Sequence, residues 1–214
     1  MVSRCLLLCA LILGVVASTL AASKVERISP PPATGVSDAL HQAVDAKGYR
    51  VTLDDGWTAE FWLARQLKSE KKDVPGALYP ELTNAEFVGI VRFPQGFSDY
   101  RGQSLPAGVY TLRYQLLPQD GNHMGVAPNP DFLLASPASD DSRPEQSYVY
   151  RKLVAVSAKS TSTGHPAVIA LESAGEPGNV TKQDNGNVIF SVGIPAADGS
   201  TVKLGVVVKG VGAQ

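Results

Sequence analysis

Cysteine is almost missing from this chain. Its two copies, Cys5 and Cys9, both lie within the first nine of 214 residues. From there on no disulfide, thiolate nucleophile or cysteine-ligated zinc site can form. Histidine is also sparse: His41, His123 and His165 are the only three, and none sits in an H-x-H or H-E-x-x-H arrangement, so the spacing that marks a metal centre is absent. Neither charge sign dominates, with 19 basic against 20 acidic residues and a formal charge of -1. That balance argues against a nucleic-acid partner and against polybasic membrane adhesion. G-x-S-x-G, phosphate-loop and dinucleotide fingerprints are missing too, leaving serine hydrolysis and nucleotide cofactors without a signature, and no cofactor is expected.

One long apolar run exists, and it stands at the amino terminus. Arg4 precedes the apolar stretch Cys5 to Val16, followed by the mostly small residues Ala17 to Ala22. Positive start, apolar middle and small-residue exit are the order of a secretory signal. At about a dozen residues the run falls short of the roughly 20 that span a bilayer. Residues 1-21 are therefore expected to be removed, with cleavage after Ala21 and Ala22 as the competing position, giving a secreted or periplasmic protein with no stable membrane span. A secreted chain without disulfides suits bacterial export.

What is abundant is turn chemistry around apolar segments: 20 Gly, 15 Pro and 44% hydrophobic residues, enough for one core with many short elements. Residues 22-35 contain Pro30-Pro31-Pro32 and read as an extended tether, and residues 36-214 as a single domain. Ser37 is a good N-cap for a short helix from Asp38 to Lys47, with Gly48 beyond its end. Tyr49 to Leu53, Asp54-Asp55-Gly56 and Trp57 to Gln66 form a hairpin, with Trp57, Phe61 and Leu63 on one face and Glu60 and Trp62 on the other. A helix over Trp57 to Lys68 is the competing reading.

Phe87 to Phe93 and Gly108 to Leu117 alternate as half-buried strands, expected to pair antiparallel with Val91, Leu112 and Tyr114 in the core. Phe132-Leu133-Leu134 reads as a short edge strand. Ser142-Arg143-Pro144-Glu145 has the form of a capping box ahead of an apolar stripe, predicting the longest helix over Glu145 to Lys159, with Asp140-Asp141 as its acidic lead-in. Ala167 to Leu171 and a closing hairpin of Asn187 to Ile194 with Thr201 to Lys209 complete a mostly β fold. The expectation is a β-sandwich or open barrel of about seven or eight strands, one covering helix and one short N-terminal helix.

Functional residues are expected in three loops, Pro94 to Pro106, Pro118 to Pro130 and Thr161 to Pro166, because a rigid sheet presents chemistry on its connections. If the loops meet, His123 and His165 are candidates for a copper or zinc site. Trp62, Tyr100, Arg101 and Asp131 are candidates for ligand binding, Trp62 because its parity sets it apart from its aromatic neighbours. The segments Gly48-Tyr49-Arg50-Val51 to Trp57, Leu105 to Leu112, Asp120 to His123, Asn129 to Leu134 and Gly164 to Val168 together resemble a family of exported bacterial β-rich proteins. That resemblance implies a secreted β-rich domain and carries no activity or catalytic residue with it. The function expected is a non-enzymatic binding or structural module of the cell envelope, its partner a small molecule, glycan or protein. The alternative is a hydrolase or metal-dependent enzyme using His123, Asp131 or His165.

Overall fold

The computed structural model describes residues 22–70, 72–118 and 127–210. The expected signal segment and His123 lie outside them. The elements in chain order are β1 (Lys24–Ile28), α1 (Asp38–Ala43), β2 (Gly48–Thr52), β3 (Thr58–Leu63), β4 (Phe87–Phe93), β5 (Phe97–Ser98), β6 (Ser104–Leu105), β7 (Gly108–Leu116) and β8 (Asp131–Pro137), then α2 (Tyr150–Ser157), β9 (Ala167–Glu172), β10 (Val180–Lys182), β11 (Val188–Pro195) and β12 (Thr201–Lys209). Strands β5 and β6 form a small separate hairpin, and the other ten make one sheet in the order β1-β2-β3-β4-β7-β8-β9-β12-β11-β10. The protein is thus mostly β, with a large antiparallel sheet nearly closed into a barrel. Ten strands in the sheet replace the seven or eight expected.

Period-two patterning explains most of this. Tyr110, Leu112 and Tyr114 of β7 point into the barrel with Val91 of β4 and Leu133 of β8, all buried. The expected antiparallel pairing of β4 with β7 is present, Val91 facing Tyr110 and Ile90 facing Thr111. Across the interior, Phe190 of β11 meets Phe61 of β3 with ring centroids 5.1 Å apart and Tyr49 of β2 at 5.5 Å. Past the strand ends, the Leu67 N–H donates to the Pro195 carbonyl at 2.8 Å and the Ala197 N–H to that of Leu67 at 2.9 Å. These bonds draw the first and last thirds of the sheet together near the seam.

Where two strands diverge, Tyr79 fills the gap. Strands β9 and β12 share only the pairs Glu172/Gly205 and Leu171/Val206. The buried Tyr79 hydroxyl donates to the Glu172 carbonyl at 2.6 Å and accepts the Gly205 N–H at 2.8 Å, replacing a ladder step that would leave two buried polar groups orphaned.

Four local expectations need correction. The predicted tether contains a strand: Val25 and Ile28 pack on the core, and Lys24 to Ile28 pair with Thr52 to Gly48. The first helix ends at Ala43, and Gly48 opens β2 rather than closing the helix, although Ser37 does cap it by accepting the Leu40 N–H at 3.2 Å. The Phe132-Leu133-Leu134 strand is central, not an edge. Leu133 points inward while Phe132 and Leu134 are covered by α2, and burial on both faces produces a continuous apolar run.

Finally, α2 begins only at Tyr150, and Asp141 is no helix lead-in. It forms a buried ion pair with Arg113, whose side chain is 1% exposed. The guanidinium donates to both Asp141 carboxylate oxygens, at 2.7 and 2.9 Å, and to the carbonyls of Ala85, Arg143 and Gln146. All five of its N–H groups are satisfied. Residues 143–146 therefore wrap around Arg113 and do not begin a helix.

Candidate functional site

A large depression lies on the outer face of β1 to β4, a groove of about 920 Å³ lined by Arg27, Lys47, Arg50, Glu60, Trp62 and Arg92, with Ile28, Ala46 and the Ser29–Pro32 strap. The hairpin register creates its polar centre. Arg50 faces Glu60 across β2 and β3, and Glu60 faces Arg92 across β3 and β4. Three neighbouring strands thereby place three charges in one row.

Glu60 is the middle of that row, its side chain only 5% exposed while those of Arg50 and Arg92 are 45% and 44% exposed. The Arg50 Nη2 and Nε donate to Glu60 Oε1 at 2.7 and 3.0 Å, and Arg92 Nη1 donates to Oε2 at 3.0 Å. One carboxylate thus orients two guanidiniums. Each guanidinium carries five N–H donors, so three on Arg50 and four on Arg92 have no partner among the described residues. With Arg27 and Lys47 also present, the lining holds four cations against one anion.

Trp62 forms the floor. It is 2% exposed, and its indole N–H donates to the Ser29 carbonyl at 2.8 Å. Gly48 makes room for it: a Cβ there would stand 2.5 Å from the indole nitrogen and 2.7 Å from the Phe61 carbonyl oxygen. The expectation that Trp62 presents an open stacking face is corrected, since the strap folds over it. It does line the groove.

The other candidates separate by place. Loops 94–106 and 161–166 meet at one end of the barrel: Asp99 Oδ2 accepts the Val168 N–H at 3.1 Å, the Tyr100 N–H donates to the Val168 carbonyl at 3.1 Å, and Gln103 Nε2 donates to the Pro166 carbonyl at 3.0 Å. Arg101 and His165 line one small crevice there. Tyr100 is half-buried against Ala170, Ile189 and Val207, so it covers the sheet. The third loop starts and ends where Leu116 pairs with Asp131, at the opposite end of β7 and β8. His123 is outside the described residues.

Asp131 is fully buried and accepts the backbone N–H groups of Leu78 and Tyr79 at 3.1 and 2.8 Å and the Tyr114 hydroxyl at 3.3 Å. It fastens the 78–79 segment and does not reach solvent as a ligand group. Among the described residues no three His, Cys, Asp or Glu side chains converge on a point.

Arg50, Glu60 and Arg92 were missed as a site. The signal was legible: the Asp54-Asp55-Gly56 turn sets the register that pairs Arg50 with Glu60, and parity puts Arg92 on the same side. No helix is long and apolar enough to cross a membrane among the described residues. The chain matches no family model, no curated protein and no solved structure.

Proposed function

We propose that the chain is exported by its first 21 residues and acts as a non-enzymatic binding module of the cell envelope, receiving an anionic ligand of sugar size in the β1–β4 groove. The observation behind this reading is the Arg50–Glu60–Arg92 row, in which an almost wholly buried carboxylate holds two half-exposed guanidiniums in place. A guanidinium fork matches a carboxylate or a phosphate with two parallel hydrogen bonds. Pre-orientation lowers the entropy lost when those bonds form. The groove volume lies within the roughly 300 to 1,000 Å³ of small-molecule sites, which suits an oligosaccharide bearing acidic groups.

Calorimetric titration with trigalacturonate, inorganic phosphate and neutral galactotriose tests this. Trigalacturonate binding that weakens with added salt and is lost in an Arg50→Gln/Glu60→Gln/Arg92→Gln variant supports a carboxylate ligand. Binding of phosphate alone assigns the groove to phosphate-bearing ligands, and equal binding of neutral galactotriose removes the charge argument. The triple change neutralises the row together, so no buried carboxylate is stranded. Export is checked by the intact mass of protein recovered from the envelope or medium; a mass retaining Met1 to Ala21 overturns cleavage.

A further inference from the structure

A second, smaller cavity of about 180 Å³ lies beneath α2 on the outer face of β8 and β9. It is lined by Phe132, Leu134, Tyr150, Val154, Pro166 and Val168, with Arg101 and His165 as the charged and imidazole-bearing members of the lining. Phe132, Leu134, Val154 and Val168 belong to a buried cluster separate from the barrel interior. Arg101 and His165 come from two loops pinned together: Asp99 accepts the N–H of Arg101 at 3.0 Å through Oδ1, and that of Val168 and the Gln103 amide at 3.1 and 2.8 Å through Oδ2. A further hydrogen bond joins Thr163 to Gln103.

We infer that this crevice binds a small monocarboxylate whose apolar body is about the size of a six-membered ring. Size sets the body, because an apolar cavity of about 150 Å³ is known to take up benzene. Chemistry sets the head. Arg101 offers a permanently charged, forked donor and His165 a second nitrogen, while no acidic side chain lines the crevice. The apolar walls disfavour inorganic anions, which would keep no hydration there. Loop hydrogen bonds hold Arg101's backbone in place before the ligand arrives, so little ordering entropy is lost. This site is independent of the β1–β4 groove, sharing no lining residue with it.

The test uses benzoate as the probe, neutral benzamide as its isostere, and the full protein observed by methyl NMR and calorimetry. Benzoate is expected to bind saturably and shift the methyl signals of Leu134, Val154 and Val168. Arg101→Gln should weaken benzoate roughly tenfold, the worth of one charge-assisted hydrogen bond, and leave benzamide unchanged. Val154→Phe fills the crevice from a half-buried position and should abolish binding of both with the fold retained by circular dichroism. No binding at millimolar benzoate overturns the inference, as does undiminished binding in folded Val154→Phe. Benzamide binding as tightly as benzoate overturns the role of Arg101. The groove triple variant should bind benzoate normally, separating this result from the fate of the anionic-sugar reading.

Discussion

Removing Arg113 should cost more stability than removing any single surface charge, and the structure says why. The side chain is 1% exposed and its partner Asp141 0%. In Arg113→Met the Asp141 carboxylate keeps only the hydroxyls of Thr111, at 2.6 Å, and Tyr148, at 3.0 Å. The carbonyls of Ala85, Arg143 and Gln146 lose their donors at the same time. Stranding a buried charge costs about 3 to 5 kcal/mol, a large share of the roughly 5 to 15 kcal/mol that holds a domain folded. Asp141→Leu strands the guanidinium and should cost a similar amount. The double variant removes both charges and leaves chiefly the three carbonyls, each worth about 1 kcal/mol or more. It should therefore lose clearly less than the sum of the singles, with a coupling of at least about 2 kcal/mol. Urea unfolding followed by tryptophan fluorescence measures all three, provided the denaturant slope stays constant. Additive losses, or a single-variant cost under about 1 kcal/mol, would show that the pair is not the anchor of the 138–149 segment.

Three further outcomes are expected. Gly48→Ala drives a Cβ into the Trp62 indole and the Phe61 carbonyl and should shift the tryptophan emission and weaken ligand uptake by the groove; an unchanged spectrum and affinity would mean the strap relaxes freely. Tyr79→Phe leaves the Gly205 N–H and the Glu172 carbonyl without their shared hydroxyl, costing about 1 to 3 kcal/mol and speeding amide exchange at Gly205; slow exchange there would show that water or a closed ladder replaces it. The third concerns alkali. Burial, with the Asp131 charge adding, raises the Tyr79 phenol to about 12, and burial, with the Asp141 charge adding, does the same for Tyr148. Burial also raises Tyr110 and Tyr114. The folded state thus holds protons that the unfolded chain releases near pH 10. The stability these groups contribute is complete below about pH 10 and is lost as pH rises towards 12. Absorbance at 295 nm during pH titration should show these four phenolates forming late, with unfolding; their appearance near pH 10 in a folded protein would contradict their burial.

Local patterning carried the hairpins. Asp54-Asp55-Gly56 and Ala196 to Ser200 each sit between alternating runs, and β2–β3 and β11–β12 pair as their parity requires. The failures share one cause, contacts between residues far apart in sequence. The 142–145 segment has the letters of a capping box, but Arg113, some 30 positions earlier, takes the carbonyls of Arg143 and Gln146. Phe132-Leu133-Leu134 reads the same whether one face or both are covered, and only α2 decides it. Trp62 had the parity of an exposed aromatic until Ser29 to Pro32 folded across it. Of the site, the Arg50–Glu60 pairing was legible from the turn, whereas the groove depended on a segment read as a tether.

What separates scaffold from site among the polar residues is how fully the fold consumes their hydrogen-bonding capacity. Asp99 accepts from the backbone of Arg101, Gln103 and Val168 and from the Gln103 amide. Asp141 accepts from three side chains, and Asp131 closes on two amides and a phenol. These carboxylates are saturated, and a saturated buried group rigidifies a fold without offering a bond to a newcomer. Arg113 is the cationic counterpart, with every donor engaged. Glu60 is equally buried, yet its two partners lean out with most of their donors unengaged among the described residues. An arginine whose position is already set by a buried carboxylate has less orientational entropy left to lose when its remaining donors meet a ligand. By that criterion the row on β2, β3 and β4 keeps the donors that the proposed anionic ligand would need, while Asp99, Asp131 and Asp141 are spent on holding the barrel together.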